Sequence, residues 1–171
     1  MRGMADLPSV TSDRLGAWAR RRGPGFSFDG NGGLDVPGHR FLAFVYRGYG
    51  LVLRARFSAE MTPTRRAEAV ALCTRLLQEP TCPALAVYDD PEAPPAPDQD
   101  PSADLPRRVI VNAQVVTTVG EGMNDPQLAT VMDDAVAALH EAGLTVLAAD
   151  GRGDFDLFEA ESLLEAPSAW L

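Results

Sequence analysis

Residues 40–57 read RFLAFVYRGYGLVLRARF, and the architecture is decided there. Arg40 to Arg47 is apolar at almost every position, which predicts a central strand covered on both faces. Gly48-Tyr49-Gly50 is a turn of hairpin length. Leu51, Leu53, Ala55 and Phe57 then alternate with Val52, Arg54 and Arg56, the period of a strand with one dry face and one wetter face. Burying Phe57 is worth about 2 kcal/mol, so a slip of one residue in this register is costly.

Upstream, Phe26 and Phe28 alternate with Ser27, and Asp29-Gly30-Asn31-Gly32-Gly33 supplies residues that tolerate positive φ. Leu34-Asp35-Val36 returns as a short strand ending at Pro37-Gly38. Before this hairpin a helix is expected from Ser12 to Arg21, capped by Ser12 or Asp13, with Leu15, Trp18 and Ala19 as its apolar stripe. Arg20, Arg21 and Arg22 crowd its end, where positive charge suits the helix dipole, and Gly23-Pro24-Gly25 stops it.

Downstream, Thr62 caps a second helix that Pro63 opens, and Ala67, Val70, Cys73, Leu76 and Leu77 lie on one side. Pro80 ends it, and Leu85 to Tyr88 reads as a strand. Residues 89–106, DDPEAPPAPDQDPSADLP, can bury almost nothing and are expected to form a flexible acidic loop. Val109, Val111, Ala113, Val115 and Thr117 alternate with Arg108, Ile110, Asn112, Gln114 and Val116, a long half-buried strand. In the third helix Asp125 caps, Pro126 opens, and Leu128, Val131, Met132, Ala135, Leu139 and Ala142 follow helical spacing. Gly143 is expected to close it at the C′ position.

The element order is α-ββββ-α-β-β-α, and hairpin-length links between strands make an antiparallel sheet with helices packed on it, the α+β class. The expected organisation is an N-terminal tail over 1–10, one domain over 11–143, and an acidic C-terminal segment over 144–171. In that segment Phe155, Phe158 and Trp170 sit among Asp154, Asp156, Glu159, Glu161 and Glu165. Such a mixture is expected to dock on its own domain or on a sister copy, because the aromatics are costly to leave in water.

The chain has 171 residues, 46% of them apolar, enough for one domain with a proper core. No apolar run approaches the ~20 residues needed to span a bilayer, and Met1 to Val10 lacks the apolar stretch of a secretory signal. A cytoplasmic protein with no membrane contact is the expectation. All 15 basic residues are arginine. Residues 1–78 carry twelve arginines against six acids, and residues 79–171 carry three against eighteen. The net charge of −9 argues against nucleic acid as a partner.

Catalytic signatures are absent. Gly151-Arg152-Gly153-Asp154 lacks the third glycine of a dinucleotide fingerprint, no lysine is available to complete a P-loop, and no Gly-x-Ser-x-Gly occurs. Asp29-x-Asn31 begins like a calcium loop, but Gly33, Leu34 and Arg40 occupy positions that need an oxygen ligand, a glycine and a glutamate. Cys73 and Cys82 stand far in sequence from His39 and His140, so neither a metal nor another cofactor is expected. No catalytic residue is assigned. One polar set does carry an argument: Arg54, Arg56, Arg108, Asn112 and Gln114 all project opposite the aliphatic rows of their strands. If those strands are neighbours, they form either a solvated sheet face or a partly basic surface for an acidic partner or the chain's own tail.

The sequence of features resembles a known family. A short helix bearing Leu15 and Trp18 precedes a hairpin around Gly30–Gly33, the Phe41–Tyr46 strand and the Leu51–Phe57 strand. A capped helix follows, then the Val109–Val115 strand, a turn with Gly120 and Gly122, Asn124, and the Leu128–Leu139 helix. Over roughly residues 11–143 this resembles the YbjN-type domain, whose fold is similar to type III secretion chaperones. The resemblance implies a non-enzymatic, often dimeric protein that binds other polypeptides or acts in regulation. It implies no catalytic residues. The alternative is a small-ligand or enzymatic pocket under the 89–106 loop that uses His39 or His140.

Overall fold

The computed structural model describes residues 6–93 and 104–148. Along them run α1 (Ser12–Arg22), β1 (Ser27–Phe28), β2 (Gly33–Val36), β3 (His39–Tyr46), β4 (Gly50–Met61), α2 (Pro63–Leu76), β5 (Ala84–Asp89), β6 (Arg107–Thr118) and α3 (Asp125–Ala148). The order is the expected one. The strands make one sheet in the spatial order β1-β2-β3-β4-β6-β5, antiparallel at every pairing, so the class is α+β.

The β3–β4 hairpin has Tyr46 opposite Gly50 and Ala43 opposite Leu53. Arg47 and Gly48 turn the chain in the left-handed region, at φ 49° and 79°. β4 then pairs with β6 along twelve positions, from Gly50–Thr118 to Met61–Arg107. One face of this ladder collects Leu51, Leu53 and Ala55 with Val109, Val111 and Ala113, all buried. Phe41 and Ala43 of β3 and Leu34 of β2 extend the same face.

All three helices cover that face. α3 buries Leu128, Met132 and Leu139 against β4 and β6, and α2 lies over β5 and β4. α1 inserts Trp18, whose ring meets Phe26 edge-on at 5.8 Å while its indole N–H donates to Asp133 Oδ1 of α3 at 3.0 Å. Arg22 also reaches Asp133, at 3.0 Å. The N-terminal residues join in: Val10 is buried, and Pro8 O accepts from Met123 N at 3.0 Å.

Several local expectations are corrected. α1 is capped by Thr11, whose side chain accepts from Arg14 N, one residue before the residues expected to cap it. α2 buries Ala69 and Cys73, whereas Ala67, Val70 and Leu77 are exposed, so its inward face is rotated from the predicted stripe. An alanine-rich helix offers several apolar stripes, and the sheet selects the one that closes over β5. α3 is capped by Asn124 and not by Asp125. Asn124 Oδ1 accepts from Gln127 N, and Gln127 Oε1 accepts from Asn124 N, each at 2.9 Å, a reciprocal capping box.

Gly143 does not close α3, which continues to Ala148 and buries Val146 and Leu147. The glycine is there for space, because a β-carbon at 143 would overlap the ring of Phe57. β3 is interior by order, yet it buries Phe41 and Ala43 on one face only, and Leu42 and Phe44 stay partly exposed. The acidic loop begins later than residue 89: Asp89 belongs to β5, and Asp90 is buried. Residues 94–103 of the loop expected over 89–106, the C-terminal segment from 149 and the first five residues lie outside the described residues.

Candidate functional site

The other face of the sheet carries no described helix, and all five predicted residues are on it. Register places Arg54 of β4 opposite Gln114 of β6, Arg56 opposite Asn112, and Glu60 opposite Arg108. Cross-strand neighbours lie close enough for their side chains to interact directly. Nε and Nη2 of Arg54 both donate to Gln114 Oε1, at 2.9 and 2.5 Å.

Two residues outside the predicted set complete the polar network. On β5, Tyr88 OH accepts from Asn112 Nδ2 at 3.0 Å. Burial is the main cause that raises the Tyr88 phenol above its usual range, so it stays protonated at neutral pH. Asp90, with a side chain 4% exposed, takes Arg108 Nε at 3.2 Å and Arg56 Nη2 at 3.9 Å. Its Oδ1 also accepts from Glu92 N at 3.0 Å. The carboxylate thus ties the end of β5 to the arginines of β4 and β6. It also offsets part of the positive charge expected of this face. Asn112 Oδ1 is buried and accepts no hydrogen bond among the described residues.

The floor under these groups is apolar. Val52, Ser58 and Ile110 are buried although they point away from the helical layer, and Ile110 sits between Ser58 and Tyr88 by register. Toward the β3–β4 turn the polar network ends and apolar groups surface. Tyr46, Tyr49 and Val116 are 42%, 62% and 58% exposed. Period-two alternation could have flagged Tyr88 with Ala86, but nothing local marks Asp90 as buried, since its partners come from two other strands.

The two histidines meet on the opposite, helix-covered face. His39 opens β3 and His140 lies in α3, yet their Nε2 atoms are 3.3 Å apart, so one ring donates to the other. His39 stacks on Phe41 at 6.0 Å and meets Phe57 edge-on at 5.8 Å. Burial, reinforced by the neighbouring imidazole, lowers the pKa of His39. Among the described residues no three His, Cys, Asp or Glu side chains converge to hold a metal. No described helix is long and apolar enough to cross a membrane.

No family model matches this chain, and no curated protein does. Among solved structures it is similar to a crystal structure of YbjN from E. coli, a candidate transcription regulator. The TM-score is 0.51 at 17% identity, over 85% of this chain and 95% of that one. At such low identity the likeness speaks for architecture alone: the chain has a YbjN-like α+β fold.

Proposed function

We propose that this chain is a non-enzymatic binding domain of a regulatory or chaperone-like kind, acting in the cytoplasm as a homodimer and receiving a polypeptide on the uncovered face of its sheet. The composition of that face carries the reading. Exposed aromatic residues beside arginines are the types enriched where proteins meet, and here Tyr46, Tyr49 and Val116 border the Arg54–Gln114 ladder. Because Asp90 already answers two of the arginines, apolar contact dominates and carboxylates of the partner play the smaller part. A regulatory role agrees with the description of YbjN, the fold neighbour.

The second reading is a small-ligand or enzymatic pocket beside residues 89–106; Tyr88 and Asp90 are on this face, whereas His39 and His140 meet on the other. Light scattering tests the assembly. The expected result is a dimer for the intact chain and a monomer for V116D with unchanged circular dichroism. A monomeric intact chain, or a V116D dimer, would move the interface off this face.

A further inference from the structure

We infer that His39 and His140 form a proton-sharing latch that holds the C-terminal half of α3 on the sheet at neutral pH and releases it on acidification. The basis is the Nε2–Nε2 separation of 3.3 Å across residues far apart in sequence. A neutral imidazole carries one N–H and one lone pair. Facing Nε2 atoms therefore hold one proton between them: one ring donates it and the other accepts. One added proton gives a single imidazolium that can still donate to the neutral ring; a second makes both nitrogens of each ring donors and sets two positive charges face to face. The hydrogen bond is then lost and replaced by repulsion.

A metal site would need further ligands beside these two nitrogens, and no third His, Cys, Asp or Glu joins them among the described residues. The two rings meet edge to face, with centroids 4.6 Å apart and planes at 66°. A metal-ligating histidine also normally anchors its second nitrogen on an acceptor, and no such anchor is present for either ring among the described residues. Proton sharing fits the geometry better than metal binding.

The surroundings make the pair sensitive. The groups facing His39 are Val36 from its partner β2, Phe41 from its own strand, Phe57 from β4 and His140 from α3. Of these only His140 carries an ionisable side chain. The adjacent Glu141 on α3 is exposed, and among the described residues no carboxylate forms an ion pair with either ring. The folded-state pKa of His39 lies below its ordinary value of 6.5. The unfolded chain therefore takes up the proton more readily, and the stabilisation is complete above that value and declines as pH falls below it. What the latch secures is the part of α3 where Gly143 rests against Phe57, the same ring that His39 meets edge-on.

Hydrogen exchange of the intact chain tests this, corrected for the intrinsic pH dependence of exchange, with the histidine ring signals followed by NMR over the same range. In the wild type, protection over residues 137–148 should fall about threefold or more between pH 7.5 and 5, while the β4–β6 ladder keeps its own. His140→Phe keeps an aromatic ring in place but cannot titrate. It should abolish that loss and move the His39 titration upward, and His39→Gln should abolish the loss as well. Equal pH dependence in the wild type and both variants would overturn the inference. So would a His39 titration unchanged by His140→Phe. A zinc-induced shift of both ring signals in the metal-titrated wild type would replace proton sharing by chelation and equally overturn it.

Discussion

The α-carbon of Gly143 lies so close to the ring of Phe57 that a β-carbon there would overlap its Cε2 and Cζ atoms. Helix α3 and strand β4 pack closely at this point. Gly143→Ala therefore sets two effects against each other. Alanine improves helix propensity by about 1 kcal/mol, whereas forcing a methyl group into a filled core costs roughly 1–3 kcal/mol. Phe57 is buried and also meets the His39 ring edge-on, so steric cost should win. Urea unfolding is expected to show G143A destabilised by about 1 kcal/mol net; a variant as stable as the wild type would mean that the ring moves aside.

Asp90 is the acid that the uncovered face depends on. Its buried carboxylate faces Arg56, whose side chain is 13% exposed, and Arg108, at 54%. Asp90→Ala removes an acceptor shared by two cations and a backbone N–H. We expect a loss of about 2 kcal/mol, from the arithmetic of charged buried hydrogen bonds. The β5 end of the sheet should lose hydrogen-exchange protection first, because Asp90 N also donates to Arg108 O at 3.0 Å.

Capping separates two neighbouring residues. Asn124→Ala removes the Oδ1 that accepts from Gln127 N, while the backbone N–H of residue 124 can still donate to Gln127 Oε1, and should cost about 1 kcal/mol in thermal or chemical unfolding. Asp125→Asn should cost less, since Asp125 serves an exposed pair with Arg14 at 2.8 Å. The hydrogen bond from Arg14 is the main cause that lowers the Asp125 pKa below 3.8. Its contribution is therefore present near neutrality and lost only in strong acid, and the D125N penalty should vanish at low pH while the N124A penalty persists.

Trp18 connects α1 to α3 through a buried indole. Trp18→Phe keeps most of the apolar volume but leaves Asp133 without that donor, although Arg22 still reaches the same carboxylate. A loss of about 1–2 kcal/mol is expected, larger than for Arg22→Ala, whose contact is half exposed. Parallel denaturation curves of the two variants decide the order.

Much of this fold is legible in residues 40–57 and in the alternation of residues 108–117, because a strand buried on one face must repeat every second residue. Pairing of the two long strands puts the predicted arginines and amides side by side, which alternation alone could suggest but not establish. Three features escaped for physical reasons. Gly143 looks like a helix terminator, since spacing along a chain does not reveal that a ring from β4 fills the place of its side chain. The inward face of α2 is ambiguous where alanines supply several equivalent stripes. The histidine pair joins residues 101 positions apart, and neither has a neighbour in sequence that hints at the other.

The β4–β6 ladder also sets the order of events when the chain folds. β1 to β4 are joined by short turns and can zip as they emerge, but β4 finds its longest partner only after the chain has passed through α2 and β5 and reached Arg107. Until Thr118 has been made, the outer edge of β4 is an unsatisfied template twelve residues long. Non-local pairing of this kind is the slow step in β-rich domains, and an open edge during it invites association between nascent chains. The time the ribosome spends between Met61 and Thr118 is thus the interval in which this protein is most exposed to misassembly.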